Sequence, residues 1–200
     1  MIKTHSEKII LGIDPGTRYM GYGIILIEAG KLKLLQYGII NLTKYKTGEL
    51  KLKKIFERIT QIINEFSPDE VALEAPFFGK NVQSMLKLGR SQGVAMAAAL
   101  NNEIPISEYS PKSVKQAVTG NGNASKEQVA AMLEATFNMK LEKTLFDATD
   151  AIGIALCHYY QQNTIAKARS ATKKVGKVAQ KKASSWDYFI ASNPERIKQN

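Results

Sequence analysis

The stretch KIILGID at residues 8–14, followed at once by PGT at 15–17, decides how the chain is read. Its apolar, β-branched residues run without a break and Pro15-Gly16 stops them, which predicts a buried strand ending in a turn. Residues 21–27 and 31–42 keep strand character on either side of the turn EAGK. Connections this short predict an antiparallel meander of three strands.

Beyond the meander the period changes. Leu52, Ile55, Ile59, Ile62 and Ile63 recur at helical spacing between residues 48 and 66, and SPD then breaks the pattern. VALE at 71–74 is a short buried run with an Ala-Pro exit. A long helix is expected over 82–101, with Leu86, Gly93, Ala97 and Leu100 on a face small enough for close packing. Residues 104–109 predict a fifth strand and 111–118 a helix. After the loop TGNGNAS, Ser125 is the expected N-cap of a helix over 126–137. A last helix starts near Asp147 and runs through IGIALCHYY. Three meander strands followed by alternating helix and strand describe an α/β chain, a five-stranded mixed sheet flanked by helices. No internal repeat is present.

Composition narrows the functional classes. No run of about 18 apolar residues exists and MIKTHSEK has no signal-peptide pattern, so no membrane association and a cytoplasmic location are expected. Cys157 is the only cysteine, which excludes an intrachain disulfide and a cysteine-rich metal site. The net charge is +10, but it is unevenly spread: residues 166–200 hold nine Lys/Arg against two acids, and the other 165 residues hold nineteen against sixteen. We therefore expect one domain over 1–165 and a basic, disordered arm over 166–200. Charge alone says that polyanions bind.

The carboxylates say more. Asp14 and Glu74 each close an apolar strand, where an uncompensated buried charge costs on the order of several kcal/mol. Asp before Pro-Gly is also good turn chemistry, whereas Glu74 gains nothing from the Ala-Pro that follows it. Asp147 and Asp150 lie three apart at a helix start, on one face, where acids are also favoured as caps. No matching bases stand beside the four in these motifs. Divalent metal bound among them reconciles the set, and oxygen donors without His or Cys suit Mg²⁺, with Mn²⁺ as a substitute. Two ions about 4 Å apart would serve in-line displacement at phosphorus, so phosphodiester hydrolysis leads. His158, two helical turns beyond Asp150, is expected to be packed rather than ligating.

Four segments, ILGIDPGTRYMGYGI at 10–24, ALEAPFFGKNVQSMLKLGRSQGV at 72–94, EYSPKSVKQAVTGNGNASKEQV at 108–129 and DATDAIGIALCH at 147–158, together resemble the RuvC Holliday-junction resolvases. The resemblance implies the RNase H-like fold and symmetric, metal-dependent cleavage of four-way DNA junctions in recombination and repair, giving 5′-phosphate and 3′-hydroxyl ends. It places the metal-binding acids on Asp14, Glu74, Asp147 and Asp150, a base-stacking aromatic on Phe77, and lysines near the scissile phosphate on Lys115 and Lys126. Lys80, Lys87 and Arg90 are candidates for tracking phosphates, in a span from Phe77 to Lys126 that holds six bases and two acids. It further implies a homodimer using the 82–101 helix and a RuvA–RuvB partner complex.

Three other readings fit less of the chain. GIDPGT is also similar to the phosphate loop of actin-like ATPases, but those need two related lobes and this chain is too short for both. A related ribosomal-RNA-processing nuclease leaves the Phe77 and Lys115 segments without a role. A junction-binding protein without catalysis has no use for four acids.

Overall fold

In the computed structural model the described residues are 7–75, 81–142 and 144–175, with 165–175 described by backbone alone. Among them ten elements run in order: β1 (Glu7–Asp14), β2 (Tyr19–Glu28), β3 (Lys31–Asn41), α1 (Gly48–Phe66), β4 (Glu70–Glu74), α2 (Val82–Leu100), β5 (Ile106–Tyr109), α3 (Pro111–Thr119), α4 (Lys126–Phe137) and α5 (Phe146–Val175). The expected strands and helices are all present, with ends displaced by a residue or two except at the C-terminal end of the last helix.

The sheet order is β3-β2-β1-β4-β5. β1–β2 and β2–β3 are antiparallel, as their tight turns require, while β1–β4 and β4–β5 are parallel. The long returns through α1 and α2 permit that parallel pairing. The sheet is thus mixed, and each face carries its own core. Ile9, Leu11 and Ile13 of β1 meet Ile55, Ile59 and Ile62 of α1 and Ala95, Ala98 and Ala99 of α2. Ile10 and Ala72 point the other way, onto Val114, Val129, Leu133, Ile152 and Ala155 of α3, α4 and α5. Helix starts are well terminated: Thr47, Asn81, Ser110 and Ser125 cap α1, α2, α3 and α4, and Ser125 forms a reciprocal capping box with Gln128.

Two features depart from expectation. The face of α2 carrying Leu86, Gly93, Ala97 and Leu100 is exposed, and the buried face is Ser91, Gln92, Ala95, Ala98 and Ala99. Alanines allow α2 to lie close to α1 and the sheet, so the small residues at 95, 98 and 99, offset from the expected stripe, form the packed side. Second, α5 runs on to Val175, through the first ten residues of the expected basic arm; residues 176–200 lie outside the described residues. The chain divides into two units, Met1–Gln162 and Asn163–Asn200, and the sheet with its flanking helices belongs to the first.

The packing of α5 against β1 and β2 is unusually close. A Cβ at Gly12 would lie 2.1 Å from the Ala151 carbonyl oxygen, one at Gly21 would lie 1.8 Å from that of Asp147, and one at Gly23 would lie 2.8 Å from the Ile152 side chain. Gly12 and Gly23 are register partners, and Gly21 is paired with Asp14. Three glycines therefore make a bare patch on which the α5 backbone sits directly. Gly12→Ala should force α5 off this patch and destabilise the fold at or beyond the upper end of the ~1–3 kcal/mol typical of overpacking. A thermal melt within a degree of wild type would show that the close approach has no energetic weight.

Candidate active site

Parity along the strands aims the two strand-end acids. Asp14 is two residues beyond Gly12, and Glu74 two beyond Ala72, so both project from the face on which α5 lies. Because the Asp147 carbonyl rests on Gly21, the register partner of Asp14, the first turn of α5 is brought to the end of β1. Asp14, Glu74, Asp147 and Asp150 consequently line one cavity of about 330 Å³, together with Lys115 of α3 and Lys126 of α4.

The electrostatics of this cavity are strained. Burial, then the charges of Glu74, Asp150 and Asp147, push the Asp14 carboxyl up to about 8, against a smaller opposing pull from Lys126. Glu74 is raised by burial and by Asp150, with Lys126 and Lys115 opposing. Asp147 is raised by burial and by Asp150. Lys126 Nζ donates to Asp150 Oδ2 at 2.9 Å, and this bond holds its own pKa above the usual lysine value. One lysine contact does not offset four acids, so the set calls for more positive charge. All donors are carboxylate oxygens, which fits a hard divalent cation. Among the described residues no three His, Cys, Asp or Glu side chains are gathered tightly enough to hold a metal ion as they stand.

The structure therefore brings six of the sequence-derived candidates together. Lys87 and Arg90 instead line a second cavity with residues of α1. Phe77 and Lys80 lie outside the described residues, in the segment directly following Glu74 and Ala75. His158 is packed, 2% exposed, between the Tyr109 hydroxyl at 2.6 Å from Nδ1 and the Glu70 carboxylate at 2.6 Å from Nε2. Burial lowers its pKa, so the neutral ring accepts from Tyr109 and donates to Glu70.

Sequence reasoning missed Gln92. It is 4% exposed, and its Nε2 donates to the Glu74 carbonyl at 3.1 Å and to Glu108 Oε1 at 2.5 Å. With the bond from Ala75 N to the Tyr109 carbonyl at 2.8 Å, it fixes the backbone from which the Glu74 side chain projects. A lone amide among the small residues of SQGVAMAAA was the available signal.

A carboxyl held protonated up to about 8 in the fold, but only to its ordinary value of 3.8 when unfolded, binds more protons in the native state between these limits. Stability of the metal-free protein must then fall as pH rises from about 4 to about 8. Asp14→Asn removes the buried charge and should raise the unfolding midpoint in chelator at pH 8, by free energy on the order of a few kcal/mol. The gain should shrink towards pH 4. A gain that does not vary with pH would contradict this electrostatic account.

A family model described as crossover junction endodeoxyribonuclease RuvC matches residues 10–158. The chain is 53% identical to the crossover junction endodeoxyribonuclease RuvC of Cytophaga hutchinsonii, over 96% of this chain and 89% of that protein. Its fold is similar to the Thermus thermophilus RuvC structure, with TM-score 0.71 and 30% identity over 78% of this chain and 96% of that one. The structure of T. thermophilus RuvC in complex with Holliday junction substrate matches with TM-score 0.70, 27% identity and the same coverage. All four acids and both lysines of the cavity fall within the matched residues, and the chain belongs to the RuvC family of crossover junction endodeoxyribonucleases.

Proposed function

We propose that this protein is an endonuclease that resolves four-way DNA junctions by metal-dependent hydrolysis, nicking opposed strands to leave 5′-phosphate and 3′-hydroxyl ends. The observation that carries the reading is the single cavity in which Asp14, Glu74, Asp147 and Asp150 converge with Lys115 and Lys126, inside a chain of this family. The acids are the ligands for Mg²⁺, two ions per site, with Mn²⁺ able to substitute. Bound divalent metal supplies Lewis acidity towards the scissile phosphate and its attacking water. The chain's own contribution is to hold four carboxylates on three rigid elements, β1, β4 and α5. Lys115 and Lys126 add compact positive charge where a phosphate enters, and Val114 and Val129 wall the cavity with apolar side chains.

Recognition extends beyond the cavity. Phe77 stacks on a base at the opened junction, and Lys80, Lys87 and Arg90 meet backbone phosphates. Residues 166–200 add sequence-independent affinity as a basic arm to the nuclease domain of 1–165. Symmetric cutting needs two sites, and α2 offers the surface for a homodimer. Val82, Leu86 and Leu100 are 65%, 58% and 60% exposed on one stripe with Gly89 and Gly93, whose absent side chains leave open space. A second copy of the helix fits such a stripe, since glycines let two backbones approach. A RuvA–RuvB complex is the partner that brings junctions, and the cytoplasm is the site of action. Among the described residues no helix is long and apolar enough to cross a membrane.

A nicking assay on four-way junction, linear duplex and RNA in Mg²⁺ tests the reading. Wild type should cut the junction alone at an appreciable rate. Glu74→Gln should lower that rate by about 100-fold or more while junction affinity is retained or improved, because the acids face phosphate. Normal cutting by Glu74→Gln, or equal cutting of all three substrates, would overturn it.

A further inference from the structure

Lys87 and Arg90 belong to a cavity that the acid site does not include. It has a volume of about 290 Å³ and is walled by Thr17 of the β1–β2 turn, by Lys46 and Lys51 at the start of α1, and by Lys87 and Arg90 of α2. Four cations from two helices and the loop before α1 thus converge on one cleft. Its single acid among the described residues, Glu49, has its carboxyl held below the usual value first by its own backbone N–H and then by the Thr47 side chain, with Arg90 a smaller contributor. That carboxylate serves the start of α1. The excess among the described residues of the cleft is three positive charges, and the positive end of the 19-residue helix α1 opens beside them.

The position of the cleft is as informative as its charge. Lys51 Nζ donates to the Thr17 carbonyl at 3.3 Å, which ties α1 to the turn that leaves Asp14. α1 and α2 pack on one face of the sheet and α5 on the other. The basic cleft and the acid cavity therefore flank the same end of β1 from opposite faces. A nucleic-acid strand with one phosphate in the acid cavity can pass over the strand ends and lay a neighbouring phosphate in the cleft.

We propose that this cleft is a second phosphate site, separate from the site of hydrolysis, that holds the DNA backbone flanking the scissile phosphate through Lys46, Lys51, Lys87 and Arg90. The inference rests on the endonuclease reading and deepens it. Lys46 and Lys51 gain a role that their place in the sequence, before and within an ordinary amphipathic helix, does not suggest. The ligand is a phosphodiester: three excess charges in a cleft of this volume suit one or two phosphate groups, and the planar Arg90 guanidinium can pair with two phosphate oxygens.

The test compares wild type with the combined variant Lys46→Gln, Lys87→Gln, Arg90→Gln, and with a control that removes equal charge elsewhere, Lys31→Gln, Lys53→Gln, Lys140→Gln. Thermal melts verify that each is folded. Binding to a four-way junction is titrated against salt. Removing one phosphate interaction flattens the slope of log affinity against log salt by about 0.9, so the slope of the cleft variant should be shallower by about 1–2 and its binding roughly tenfold weaker, while the control stays near wild type. Junctions carrying single neutral methylphosphonate linkages near the cut site then locate the interaction. At one or two positions the neutral linkage should weaken wild type several-fold and have no further effect on the cleft variant. Equal slopes for cleft and control variants, or additive losses at every linkage, would overturn the proposal. Failure of the endonuclease reading looks different: wild type would not nick, whatever the cleft does to the salt slope.

Discussion

The α5 helix can lie where it does only because three glycines of β1 and β2 present no side chains to it. Gly12, Gly21 and Gly23 let main-chain atoms of α5 approach to distances that any Cβ would forbid. Ordinary helix-on-sheet packing is spaced by side chains. Here the spacing is removed at the first turns of the helix, and that is where Asp147 and Asp150 stand. The glycine patch thus sets the separation between acids carried on a helix and acids carried on strands. In the proposed endonuclease, the chemistry depends on that separation.

Close packing has an electrostatic consequence. Burial and mutual repulsion oppose ionisation of Asp14, Glu74 and Asp147. The Lys126 bond to Asp150 relieves one acid, and Lys115 opposes only the shift of Glu74. A fold that retains such a cluster holds a cost to stability in reserve at a functional centre, to be relieved by a cation and an incoming phosphate. Buried partners elsewhere lack this imbalance: His158 is matched by Tyr109 and Glu70, and Glu70 in turn by Lys8 at 2.7 Å. The contrast sets an acid cluster with uncompensated charge apart from a polar network whose members are matched.

Much of this architecture was legible in the chain. Runs broken by Pro-Gly and Ala-Pro marked the strands, and the period of Ile55, Ile59 and Ile62 marked the face of α1, because both signals are local. Asp14, Asp147 and Asp150 each had a local alternative as a turn or cap residue, and it was Glu74, with no such alternative at the end of its apolar run, together with the combination of all four, that made the site visible. The buried face of α2 was not legible: in a helix rich in Ala and Gly, small residues occur on every side, and the sheet, not the helix, selects which ones are covered. Gln92 was missed for a related reason, since its two acceptors come from β4 and β5. The glycine patch was equally hidden. Gly12 and Gly23 stand opposite each other only through β1–β2 register, and nothing local says that a helix will land on them. The same holds for the basic cleft, whose cations are distant in sequence until α1 and α2 pack together.

We propose that the four acids form a cation site in which the Asp14 carboxyl holds a proton until metal displaces it. Calorimetric titration of Mg²⁺ into the protein at pH 7, in buffers of different ionisation enthalpy, measures those protons. With the Asp14 carboxyl pushed up to about 8, filling the site should release about one proton per protein chain, and the release should fade above about pH 9 and fall in Asp14→Asn. Binding of Mg²⁺ with no proton release at pH 7, or with the same release in Asp14→Asn, would contradict the account.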